Sequence, residues 1–162
     1  MRNYAENLVG KLDRSYYSNQ RNVANQAYQT NWESLQNQYK NLTDRLKQQQ
    51  EQANTNFANG LVDVSENSFN RMSNVNEDLV NRGLLTSGVR NMYQQADTTQ
   101  KGKDVRELLG TSDNVAINIA NQLKGANEEY AQNQTGLNKD LGDALGKIGD
   151  AETAAQMSYN QG

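Results

Sequence analysis

The groups with which this chain could do chemistry are carboxylates, hydroxyls, amines and amides, because its 162 residues include no His and no Cys. Zinc sites built on His or Cys, and Cys–His nucleophilic catalysis, are therefore closed to it. Calcium and magnesium remain open in principle, since both take oxygen ligands. The best acidic pair is Glu128-Glu129, but adjacent residues on a helix do not converge on one centre. Asp140, Asp143 and Asp150 are spread along a glycine-containing tail without the oxygen-donor spacing of an EF-hand. Glu77-Asp78 would need a second carboxylate across a cleft to hydrolyse a glycoside. Ser65-Glu66 and Thr111-Ser112-Asp113 read as surface or capping groups, with no nucleophile elbow around either serine. The segment RGLLTSG at residues 82–88 lacks the glycine spacing and the Gly-Lys-Ser/Thr ending of a phosphate-binding loop. The expectation is a protein that is not an enzyme and carries no cofactor or metal.

Composition points the same way. About a quarter of the residues are Asn or Gln, only 35% are hydrophobic, and there is no proline. A mean hydropathy of -0.99 is very polar for a self-sufficient globule, so an independent core would be modest. Long amide-coated helices that assemble with something else fit better than a closed globule, and disorder is the bland competitor. No apolar run approaches the roughly 20 residues needed to span a membrane. Residues 1–50 carry seven basic and four acidic side chains, and residues 104–162 carry four and nine. This asymmetry could orient neighbouring subunits head to tail. The basic residues are too scattered to favour nucleic-acid contact.

The elements that would position these side chains are helices. Tyr28, Trp32, Leu35, Tyr39, Leu42 and Leu46 alternate four and three residues apart, a heptad seam that Gln49 and Ala53 extend. Trp32 with Tyr28 and Tyr39 could form a ligand platform, but all three fit the packing register of a seam against another subunit or another helix. Asn59-Gly60 either ends this helix or is tolerated within it, because Phe57, Leu61, Val64, Ser68, Met72, Val75 and Leu79 continue the spacing to about Asn81. A corner is expected at residues 82–88. There Gly83 and Gly88 break the helix, Leu84 and Leu85 cover the turn, and Thr86 or Ser87 caps the return. Residues 97–103 are a polar linker or an exposed part of the return helix. Gly110-Thr111-Ser112-Asp113 reads as a further break and cap, and Gly136 as weakening or ending the helix built on Val115, Ile119, Leu123, Ala126 and Tyr130. In the glycine-rich tail, Leu141, Leu145 and Ile148 share one face. The fold expected is all-α, with elongated amphipathic helices, a helix-turn-helix corner near residues 82–88 and coiled-coil-like packing. Its parts are a long helical region at 1–81, a corner and polar return segment at 82–103, and a packing region at 104–162.

The corner NRGLLTSGVRNMYQQ, residues 81–95, resembles helical bacteriophage virion proteins, in which helix-RGL-helix arrangements occur in tail, connector and internal components. The likeness lies in Arg82-Gly83-Leu84-Leu85 and Ser87-Gly88, and in the Asn/Gln-rich helices on either side. It implies a structural or assembly role in a neck, tail or capsid-associated complex, located in the virion and, during assembly, in the host cytoplasm. It also implies self-association and contact with other virion structural proteins. The seam Tyr28–Leu46 and the face Leu141, Leu145, Ile148 would be the docking surfaces. A helical cellular adaptor and an internal or ejected phage cargo protein are the alternative readings.

Overall fold

A computed structural model describes the backbone of residues 2–83 and 87–161, and the side chains from Arg14 onward within those ranges, Ser87 excepted. The described residues form two helices, α1 (Arg2–Asn81) and α2 (Ser87–Gln161). The all-α expectation holds. Of the two readings of Asn59-Gly60 the continuous one holds, for α1 runs through it, while α2 runs unbroken through Gly136 and through the break expected at Gly110–Asp113. Each interior glycine costs about 1 kcal/mol relative to alanine. With no proline to remove a backbone donor, pairing of the two helices outweighs that cost. The hydroxyl of Thr111, expected to cap a helix, instead donates to the Glu107 carbonyl one turn back, at 3.1 Å. The amide side chains also support the helix they coat. Gln50 donates to Asn54 at 3.2 Å, Gln52 to Asn56 at 2.9 Å and Gln122 to Asn118 at 3.0 Å, all four residues apart.

The chain divides into two compact units. One joins Met1–Leu42 to Gly125–Gly162, and the other is Thr43–Lys124. In both, a stretch of α1 packs against a stretch of α2 running the opposite way. In the first unit the Tyr28 hydroxyl donates to Asn138 at 2.6 Å, and the Tyr39 hydroxyl donates to Asn127. Eleven residues forward on α1 are thus matched by eleven back on α2.

The same interval organises burial. On α1, Ala24, Leu35, Leu46, Phe57, Ser68 and Leu79 stand eleven residues apart, and all are buried or half-buried. So are Tyr17, Tyr28, Tyr39, Gln50, Leu61 and Met72. On α2, Asp97, Leu108, Ile119, Tyr130, Leu141 and Glu152 form one such line, and Asp104, Val115, Ala126, Leu137 and Ile148 another. Eleven residues in three turns is 3.67 residues per turn, slightly more than the α-helical 3.6. The heptad expected from Tyr28 to Leu46 is a fragment of this longer repeat. Beyond Leu46 the inward line passes through Gln50 and Phe57, while Gln49 and Asn56, one step earlier, are exposed. The Ser68-to-Met72 step, irregular in a heptad, is regular here.

The core is thin. Leu35, Leu46, Val64, Leu79 and Ala126 are its buried hydrophobic members among the described residues. Leu46, 2% exposed, contributes roughly 1.5–3 kcal/mol by burial. Close approach occurs at Gly60, where an added Cβ would lie 2.6 Å from Leu108 Cδ2. The glycine expected as a possible helix end is therefore a contact point for the opposite helix.

Helix α1 ends as a glycine-terminated helix should. The Arg82 N–H reaches the Asp78 carbonyl at 3.0 Å, and the Gly83 N–H reaches the Val80 carbonyl at 3.1 Å. Gly83 has φ of 65°, the left-handed conformation that disfavours a Cβ. Leu84, Leu85 and Thr86 lie outside the described residues, as does the side chain of Ser87, whose backbone opens α2. Gly88 is exposed within the first turn.

Neither Gly83 nor Gly110 has a neighbour within 4 Å of where a Cβ would stand. Their substitutions therefore isolate backbone effects. Gly83→Ala is expected to lower stability by about 1–2 kcal/mol, and Gly110→Ala to raise it by up to about 1 kcal/mol. Thermal unfolding followed by circular dichroism checks both, and a loss at Gly110 equal to that at Gly83 would contradict the assignment.

Candidate functional site

Three arrangements bring functional side chains together. The first is an aromatic cluster in the unit formed by Met1–Leu42 and Gly125–Gly162. Tyr28, Trp32 and Tyr39 project from α1 at four- and seven-residue spacing, and Tyr130 reaches them from α2. Trp32 stacks on Tyr28 with ring centroids 6.3 Å apart and planes 13° from parallel, and lies 6.2 Å from Tyr130. Tyr130 in turn lies 4.6 Å from Tyr39. Such pairs add to area burial by about 0.5–1.5 kcal/mol. The rings are half-buried between the helices, so their faces serve packing rather than an open platform. The Tyr28 and Tyr39 hydroxyls reach side-chain amides of the opposite helix, and the Tyr17 hydroxyl donates to the Ala151 carbonyl at 3.3 Å. The Arg21 guanidinium pairs with the Glu152 carboxylate.

The seam residues named from sequence are placed accordingly. Leu35 and Leu46 are buried, and Tyr28, Trp32, Tyr39 and Leu42 are half-buried. Leu141, Leu145 and Ile148 are half-buried as well, in the same unit as the first part of α1. These surfaces are occupied within the chain.

The second arrangement escaped the sequence reading. In the Thr43–Lys124 unit, Ser68 and Arg71 of α1 converge on Asp97 of α2. Arg71 Nε donates to Asp97 Oδ1 at 2.8 Å, and Ser68 Oγ donates to Oδ2. The Asp97 side chain is 11% exposed. The Ser68 hydrogen bond and the Arg71 guanidinium hold its carboxyl below the usual carboxylate range, against an opposing push from burial, and Lys101 adds a smaller attraction. Arg71 Nη2 and, nearby in sequence, Asn76 Oδ1 are buried without a hydrogen-bond partner. The available signal was a polar residue at a core position: Ser68 and Asp97 both stand on inward eleven-residue lines.

The third is an open groove of about 320 Å³ beside the Gly60–Leu108 contact. Ala53, Phe57, Leu108 and Val115 form its floor, with Gln49, Asn56 and Thr111 at the rim. It holds no acid–base pair. The carboxylates weighed for catalysis do not converge either. Glu66, Glu77, Asp78, Asp113, Glu128, Glu129, Asp140, Asp143 and Asp150 are all exposed. Asp78 binds Arg82 at 3.0 Å, one turn along the same helix. Among the described residues no group of three His, Cys, Asp or Glu side chains is placed to hold a metal ion. No helix searched among them is long and apolar enough to cross a membrane.

The Asp97 node makes a pH prediction. A carboxyl whose folded pKa lies below its ordinary 3.8 contributes stability above 3.8 and loses it as pH falls through the depressed value. Asp97→Asn is therefore expected to lower the Tm at neutral pH, with the gap from wild type narrowing below pH 3.8. A gap unchanged across that window would show that ionised Asp97 contributes nothing.

Comparison with known proteins supplies no relative against which to set this geometry: no family model, curated protein or solved structure matches the chain.

Proposed function

We propose that this chain is a structural or assembly component of a bacteriophage virion, a helical hairpin that packs in coiled-coil-like fashion against further copies and other virion proteins in a neck, tail or capsid-associated complex. The observation that carries an assembly role is apolar surface left in solvent. Large apolar side chains stay in solvent along both helices, including Val23, Phe69, Met92 and Met157, each at least 60% exposed. Incorporation into a larger shell would remove such surface from water.

The phage reading rests on the RGLLTSG corner and the Asn/Gln-rich composition. The left-handed Gly83 is compatible with it, giving that corner a conformational reason for its glycine. The role is one of position and contact, with no reaction. Its location would be the virion, and the host cytoplasm while particles assemble.

An antibody to the chain, followed through density-gradient purification of phage particles from a producing culture, tests this reading. Co-migration with intact particles at constant stoichiometry is expected. A chain confined to the soluble host fraction, absent from particles, would reject it in favour of a cellular adaptor.

A further inference from the structure

We infer that Asn59 is a modification site whose chemistry is gated by helix pairing: when α1 opens around Gly60, Asn59 closes onto the next backbone nitrogen, loses ammonia and becomes aspartate or isoaspartate. The chain thereby keeps a covalent record of local unfolding.

Asn59-Gly60 is the one Asn-Gly pair in the sequence. Glycine has no Cβ to screen its backbone nitrogen, so an asparagine side chain reaches that nitrogen most easily when glycine follows. The step is an acyl transfer within the chain. Hydroxide takes the Gly60 amide proton, and the nitrogen bonds to Asn59 Cγ. The Cγ–Nδ2 bond breaks, and ammonia leaves with a proton from water. A second water then opens the five-membered ring at either carbonyl. One opening leaves aspartate. The other leaves isoaspartate, whose main chain runs through the former side chain and is one carbon longer.

In the folded chain Asn59 is exposed, so water reaches it, yet the ring cannot close. Helix α1 is unbroken here, which commits the Gly60 N–H to the Asn56 carbonyl and holds the Asn59 ψ at a helical value that keeps Cγ from the Gly60 nitrogen. Both restraints last only as long as the helix does. Three features make this span the place where it gives way. Between Leu46 and Val64 no residue of α1 is fully buried. Asn54, Asn56, Asn59 and Gly60 are all poor helix formers. The helix is held here by its contact with α2, where a Cβ on Gly60 would stand 2.6 Å from Leu108 Cδ2 and 3.0 Å from Cδ1. Packing thus favours a glycine at the position where glycine makes the preceding asparagine labile. The extra carbon of isoaspartate would put the inward lines on either side of residue 59 out of phase, so an opened chain could not pair again as before. Aspartate would only add a charge at an exposed position.

The full chain is tested in mildly alkaline buffer with and without urea, and the tryptic fragment 48–71 is sequenced by mass spectrometry with electron-based fragmentation, which separates isoaspartate from aspartate. In urea Asn59 is expected to convert ahead of Asn54, Asn56, Asn67 and Asn70; no lead over them would overturn the site. In the folded chain its conversion is expected to be about tenfold slower or more. Leu108→Ala, which removes the contact at Gly60, should raise the folded-state rate about threefold or more with helical circular dichroism retained. If that variant loses its helix, wild type in urea below its unfolding transition replaces it, with the same rise expected. Equal rates folded and in urea, or a folded-state rate that neither change moves, would overturn the gating by pairing. After urea is removed, isoaspartate chains should fail to regain the wild-type Tm, whereas Asn59→Asp should refold close to it. Isoaspartate chains that refold as well as Asn59→Asp would overturn the permanence of the record.

Discussion

Two helices can keep one face toward each other only if inward residues recur at a period the helix can sustain, and everything else in this protein depends on that condition. Here the period is eleven residues in three turns, carried by both helices. It sets Tyr28 and Tyr39 at equivalent levels opposite Asn138 and Asn127. In the other unit it keeps Phe57, Val64, Ser68, Met72 and Leu79 facing inward. A chain with so little apolar content has few side chains to place, and this period aligns those it has.

Apolar burial alone is weak here, and polar contacts define register in its place. The tyrosine hydroxyls and the Arg21–Glu152 pair tie the two helices at fixed levels in one unit. Most of these are part-exposed and individually worth about 1 kcal/mol or less. They specify alignment more than they add stability. The Asp97 node in the other unit differs because its carboxylate is nearly buried and held by two donors. A shift of register there would strand a charge, which penalises misalignment more strongly than loss of an apolar contact would.

The helical class, the end of the first helix near Asn81 and the conformational demand at Gly83 were all legible in the sequence, because each rests on local chemistry. Spacing also picked out Tyr28, Trp32, Leu35, Tyr39, Leu42 and Leu46 as inward-facing. Their partner was not legible, since a seam looks the same whether an intrachain or an intersubunit helix covers it. The heptad register failed at Gln49, which is exposed, although Ala53 is half-buried as it required, because over two turns a seven-residue and an eleven-residue pattern nearly coincide. The polar residue Gln50, at an inward position that hydrophobic counting passes over, marks where the longer period departs from the heptad. The break expected at Gly110 did not occur, and of the two outcomes expected at Gly136 the helix end did not, because a local propensity of about 1 kcal/mol yields to pairing along the helix. Asp97 was hidden for a related reason: its partners Ser68 and Arg71 are 29 and 26 residues away.

The eleven-residue register is tested most directly by matched deletions within the Thr43–Lys124 unit. Removing residues 50–60 and 108–118 takes one whole repeat from each helix and leaves all remaining inward lines in phase. Removing nine from each, 50–58 and 110–118, rotates the downstream part of each helix by about half a turn. Thermal unfolding followed by circular dichroism should show a cooperative, fully helical transition for the first variant. For the second it should show a loss of helicity and cooperativity. Equal behaviour of the two variants would contradict the register on which this account rests.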